Sequence, residues 1–188
     1  RCRRSIRKLK PDVLLVHSPH YVNKLMEGSL SAREELHMEI PYSPQVVDAF
    51  LLHTGGSILA AECALKDGVG VNIGGGFHHA FPDHGEGFCV FNDVVVAIRM
   101  LQASARIARA AIIDLDVHQG NGTHALVAGD TTVYAFSTHG RKNYPFKKVA
   151  GTLDIELEDG IEDDNYLEVL TTALPTVISE SNPDIVFY

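Results

Sequence analysis

The 188-residue chain is 45% hydrophobic, enough to bury a sizeable core and most simply organised as one domain, 1–188. Its net charge of −8 argues against direct nucleic-acid binding, despite the basic cluster Arg1, Arg3, Arg4, Arg7, Lys8 and Lys10, which reads as a solvated helix face. No apolar run approaches the roughly 18 residues of a membrane span and no signal peptide is visible, so no membrane partner is expected; three scattered cysteines, Cys2, Cys63 and Cys89, point to a reduced intracellular compartment, cytoplasmic or nuclear.

In chain order, the stretch from Ser5 to His17 is too short for periodicity to decide between helix and strand. His17, beside the Ser18-Pro19 turn signal, reads as a structural histidine rather than a ligand, and Gly28 to Pro44 as a loop whose Ile40-Pro41-Tyr42 can line a rim. From Ser43 to Gly68 the pattern is helical: Ser43 can cap, Pro44 suits the first turn, Val47, Leu51, Ile58, Ala61 and Leu65 recur at helical spacing, and Gly68 stops it. Gly55-Gly56 inside that helix predicts a kink or close packing. Residues 69–73 read as a short strand, and Asn92 or Asp93 caps a helix reaching Ala103. Strands at 110–115, 132–137, 152–157 and 184–188 alternate with helices at 122–127 and 163–181. This alternation predicts an α/β fold: a parallel sheet with helices on both faces.

Two stretches carry chemistry. The run Ile112 to Gly122 passes from apolar residues into Asp114, Asp116, His118 and glycines, as a strand feeding a site. Alternate residues of a strand share a face, so Asp116 and His118 can aim at one point, with Asp114 on the same side. A carboxylate beside an imidazole suits a divalent metal such as zinc; the alternative for these residues is a capping Asp and a surface His. The second stretch, Gly74 to Asp93, is rich in glycine and holds His78, His79, Asp83, His84 and Glu86. Adjacent histidines cannot share a face in an extended strand, so His78 and His79 require an irregular loop if both are to serve one centre, a path that Gly74 to Gly76 permit.

Gly74-Gly75-Gly76-Phe77-His78-His79, Gly87-Phe88-Cys89, Asn92-Asp93 and Asp116-Val117-His118-Gln119-Gly120-Asn121-Gly122 together closely resemble the histone deacetylase family, in family order and spacing. The wording looks most like the class IV branch and its bacterial relatives. The resemblance runs from about His17 to Tyr188 and is strongest over 72–122. It implies an arginase/deacetylase-like fold with a helix-rich start, in which Ser18-Pro19 opens a short helix through Met26. It also implies a zinc-dependent hydrolase that removes acetyl or other acyl groups from lysine side chains, in histones or other proteins, or from small acylated amines.

Residue by residue, the resemblance implies that Asp116 and His118 are zinc ligands, His79 the general base and later acid, and His78 its electrostatic partner. Asp114 matches a buried carboxylate that hydrogen-bonds the first histidine and helps bind a structural potassium ion. Ser137 and Thr138 join that site with Asp114 and the backbone of Asp116 and His118. Asn121 matches a position, Asp in many class I relatives, that orients the second histidine; its alternative is a helix cap. Gly87 and Phe88 correspond to the substrate-channel wall and Tyr144 to the opposite rim, though its loop is shorter than in some class I relatives. Asp83, His84 and Glu86 read as rim or turn residues, and Cys89 as a small buried thiol rather than a nucleophile. The family's further Asp ligand and its catalytic Tyr have no counterpart in this sequence, so a fragment with an incomplete site, inactive alone, is expected.

Two other readings use the same residues. An arginase-like manganese ureohydrolase wants Asp-x-His-x-Asp, and the last position here is Gly120. A non-catalytic module would keep an acyl-lysine pocket without turnover.

Overall fold

The computed structural model describes residues 9–188 in two compact units, Arg1–Arg106 and Ile107–Tyr188. Of the basic cluster, only Lys10 lies among the described residues.

The first unit is helical: α1 Lys10–Val13, α2 Pro19–Glu27, α3 Ala32–Met38, α4 Pro44–Asp67 and α5 Asp93–Ala103. Ser18 caps α2 by accepting from the Tyr21 N–H at 3.2 Å, with Pro19 in the first turn and Gly28 closing the helix in the left-handed region. Helix α4 runs unbroken from its Ser43 cap to Gly68. Gly55 and Gly56 serve close packing rather than a kink, since a Cβ on either would lie 3.1 Å from Leu9 or 2.8 Å from Asn72.

Three expectations change here. Gly28 to Pro44 is not all loop, because α3 forms with a reciprocal capping box between Ser31 and Glu34. Residues 69–73 form no strand: nothing among the described residues pairs with them, and Val69, Val71 and Ile73 are exposed. An extended apolar run becomes a strand only where its N–H and C=O groups find a ladder. Finally, α4 is long and apolar enough to cross a membrane by length and composition, although Val47, Leu51, Thr54, Ser57, Ile58 and Ala61 are buried, as on a core helix.

His17 is buried among Tyr21 and Phe91, and both its nitrogens are committed. Its Nδ1–H donates to the Phe81 carbonyl at 2.8 Å, and its Nε2 accepts the Asn92 N–H at 3.0 Å. That geometry requires the neutral ring. Burial outweighs the Phe81 bond and pushes the pKa down to about 4. An unfolded imidazole titrates near 6.5, so between about 6.5 and 4 the unfolded chain binds more protons and stability falls with pH. About 3 kcal/mol should be lost through this group, levelling off below pH 4. Urea unfolding of wild type and His17→Gln across this window checks it; equal slopes would remove His17 as the cause.

The second unit holds β1 Ala110–Asp114, α6 Asn121–Val127, β2 Val133–Gly140, β3 Leu153–Leu157, α7 Asp163–Ser181 and β4 Ile185–Phe187. All pairings are parallel, in the order β3-β2-β1-β4, as the alternation predicted. Ala110 to Ile113 are buried along the central strand, and Ile113 and Phe136 pack with Ala173 and Val177 of α7. The register sets Asp114, the last residue of β1, beside Ser137, and β2 runs three residues further to Gly140. Ligand sites of parallel α/β sheets lie beyond the carboxyl ends of the strands.

Candidate functional site

In the first unit, His78 and His79 lie on a turn, with ring centroids 4.0 Å apart and His79 buried. The loop that delivers them is anchored by a residue that sequence reading treated only as a possible cap. Asn92 is the cap of α5, accepting from Val95 N–H at 3.1 Å. Asp93, wholly buried at the start of that helix, reaches the loop instead. Its carboxylate accepts the Gly76 N–H at 3.0 Å, the Phe77 N–H at 2.8 Å, and a short bond from Ser57 Oγ. Ser57 Oγ in turn accepts from Asn72 Nδ2 at 2.8 Å. Burial raises the Asp93 pKa against these donors. Gly75 has no room for a side chain, since a Cβ would meet Asp93 Oδ2 at 2.5 Å, while Gly76 sits at φ 94°.

The Gly-Phe-Cys segment forms a tight turn. Glu86 and Cys89 bridge each other's backbone, while Gly87 at φ 51° and Phe88 at φ 63° occupy the middle. Positive φ at both central residues describes a type I′ turn, costly for a bulky residue and often found at functional sites. The Phe88 ring is 61% exposed. Cys89 is buried, with its thiol donating to the Gly87 carbonyl at 3.4 Å. Asp83, His84 and Glu86 stand just before this turn, and the Glu86 and Asp83 carboxylates hold the His84 pKa above its ordinary value.

In the second unit, β1 ends at Asp114, so Asp116 and His118 do not share a strand face as the alternation argument required. Two side-chain-to-backbone bonds bend the chain there. Asp114 Oδ1 accepts the Asp116 N–H at 3.0 Å, and Asp116 Oδ1 accepts the His118 N–H at 2.8 Å. The same bend brings His118 Nδ1 to 3.0 Å from Asp116 Oδ1. Two tetrahedral ligand atoms with bonds of about 2.1 Å lie roughly 3.4 Å apart, so this oxygen and nitrogen need open by only a few tenths of an ångström to hold a zinc ion. Among the described residues no third His, Cys, Asp or Glu atom completes a metal-sized group with them.

Gln119 fixes the bend from behind. It is buried, donates to Asp154 at 2.8 Å and accepts the Val149 N–H at 2.9 Å, a positioning role with no local sequence signal. The Tyr144 ring meets His118 edge-on at 6.0 Å. Asn121 is buried as the first residue of α6, while Gly120 occupies the cap position. The cap alternative for Asn121 therefore fails. Ser137 Oγ lies 3.0 Å from His139 Nδ1, and Thr138 Oγ1 is buried without a hydrogen-bond partner.

The family model described as histone deacetylase domain matches residues 4–188. An uncharacterised protein of Picosynechococcus sp. is 42% identical over 174 residues, covering 93% of this chain and 58% of that protein. Histone deacetylase 2 of Arabidopsis thaliana is 36% identical over 188 residues, covering 95% of this chain and 49% of its own. The crystal structure of an HDAC homolog from Aquifex aeolicus superposes with a TM-score of 0.80 at 28% identity, over 94% of this chain and 53% of that one. The chain thus spans about half the length of the curated relatives it matches. A parallel sheet ending in Asp-x-His, an anchored His-His loop and these matches carry one conclusion: the chain belongs to the histone deacetylase family.

Proposed function

We propose that the full-length protein is a zinc-dependent amide hydrolase that removes acetyl or another acyl group from a lysine side chain or a small acylated amine. The 3.0 Å approach of His118 Nδ1 to Asp116 Oδ1, beyond a parallel strand's carboxyl end, carries the reading. Zinc, when bound, polarises a carbonyl and lowers the pKa of water toward about 7. Asp116 and His118 hold it, and Asp114 keeps the Asp116 backbone in place through its own carboxylate.

His79 takes the proton of the attacking water and returns it to the departing amine, with His78 as its electrostatic partner. The exposed Phe88 offers a flat apolar wall to an uncharged acyl-lysine stem, Gly87 accepts the substrate amide N–H, and Tyr144, edge-on to His118, serves as a rim residue. Ser137 and Thr138, mainly through backbone oxygens, join Asp114 and the backbone of Asp116 and His118 around a structural potassium, a reading supported by the pairing of Asp114 with Ser137. Free thiols at Cys63 and Cys89 support an intracellular setting.

An acyl-chain panel tests the reading: lysine peptides and small amines carrying acetyl to longer acyl groups, offered to metal-free and zinc-reconstituted full-length protein. Zinc-dependent release of carboxylate, lost to a chelator, is expected. Binding of acyl-lysine without turnover would return the protein to the non-catalytic reading.

A further inference from the structure

We propose that the first unit carries a second transition-metal site, built by His37, His84 and Glu86 and distinct from Asp116 and His118. One ligand atom from each of the three lies within 4.8 Å of the others. His37 stands in the last turn of α3, and His84 and Glu86 precede the Phe88 turn. Two imidazoles and a carboxylate are a donor set of zinc and its first-row neighbours. Tetrahedral ligands with bonds of about 2.1 Å lie roughly 3.4 Å apart, so closure needs about an ångström of side-chain movement. His84 Nε2 and Glu86 Oε2 are already 3.5 Å apart.

The surroundings of His84 supply an independent indication. Its Nδ1 lies 2.7 Å from the Asp83 carboxylate, which as an acceptor fixes the proton on that nitrogen. Its ring stacks on Phe81, centroids 4.6 Å apart and planes 12° from parallel. A second carboxylate, Glu86, faces Nε2 at 3.5 Å, so the ring stands between two anions and a cation at Nε2, a proton or a metal ion, is favoured. A carboxylate that orients the remote nitrogen of a histidine is also the usual outer-shell partner of a histidine ligand.

The backbone fits a clamp. The Phe88 N–H donates to the Met38 carbonyl at 3.1 Å, joining the turn to the end of α3. Gly85 is packed so closely that a Cβ there would meet the Cys89 carbonyl oxygen at 2.7 Å and Tyr21 Oη at 2.8 Å. A metal bridging His37 to His84 and Glu86 adds a second tie between the same two segments and restrains the residue that presents the Phe88 ring. A transition metal there is thus a structural ion on the approach to Phe88.

The test uses tag-free full-length protein carrying His118→Ala, which removes the other metal pair, titrated with Co2+ followed by its visible absorption and with Zn2+ by competition. One equivalent with a tetrahedral or five-coordinate Co2+ spectrum is expected. His84→Ala should abolish it. His37→Ala, at an exposed position that leaves the fold intact, should weaken it by about 100-fold or more, and Asp83→Asn by about 10-fold to 100-fold. Circular dichroism confirms folding of each variant. Absence of binding, or binding unchanged by His37→Ala and Asp83→Asn, overturns the site: the cation at Nε2 is then a proton.

Discussion

In the full-length protein, Asp116→Ala and His118→Ala should each lose both metal and activity, while His79→Ala keeps its metal and loses about 10²-fold to 10⁴-fold in kcat/KM. The difference follows from what each residue does in its own unit. Asp116 and His118 present an oxygen and a nitrogen to one point, 3.0 Å apart, and neither atom has a substitute in the bend. Asp116→Ala also removes the acceptor that holds the His118 N–H, so the second ligand loses its orientation with the first. His79 is a buried ring on a loop anchored by Asp93, and in the proposed reaction it carries a proton rather than the metal, so its removal should spare metal binding. Zinc content measured beside kcat/KM decides the matter. Loss of metal from His79→Ala would make it a ligand rather than a base.

The second large effect is expected at Asp93, which makes no contact with any proposed reacting atom and still governs one. Asp93→Ala leaves the Gly76 and Phe77 N–H groups and the Ser57 hydroxyl without their common acceptor. The Ser57 hydroxyl is buried and loses its acceptor, whereas the Gly76 and Phe77 N–H groups are only part-buried and can turn to water, so about 1–3 kcal/mol in total is expected, or roughly 5 °C in Tm. Asp93→Asn keeps the shape but turns an amide N–H₂ toward one donor, and should cost about half as much. Activity should fall further than stability explains, because the released segment leads directly into His78 and His79. A shift of about 1 Å in a catalytic group can cost about 10²-fold. Thermal unfolding and kcat of both variants, with zinc content held equal, provide the check. An Asp93→Asn protein with wild-type kcat would show that the loop is positioned by something else.

Much of this molecule was legible along the chain because the deciding signals are local. Ser43-Pro44 and Gly68 bounded α4, Asp163 to Ser181 was read as α7, and the parallel alternation followed from the spacing of the strands. Ser31 and Glu34 also spelled a capping box for α3, a signal present in the sequence and passed over. For Asp116, His118, His78 and His79 the residue types left a capping Asp and surface histidines open, and the resemblance to the family decided for a site.

The sequence could not supply partners tens of positions away. Asp93 meets Ser57 across 36 residues, His17 meets Asn92 across 75, and His37 on α3 lies near His84 in the loop before the Phe88 turn. Whether 69–73 would be a strand likewise depended on a neighbour to pair with. Even Asp116 and His118 meet through two side-chain bonds that end the strand, not through its alternation. Caps, turns and periodicity act within a turn or two of the chain, so the sequence by itself determined the elements and the kinds of chemistry they carry. Packing brings together groups that share no local geometry, and only the tertiary structure decided which buried donors those side chains satisfy and in which direction they point.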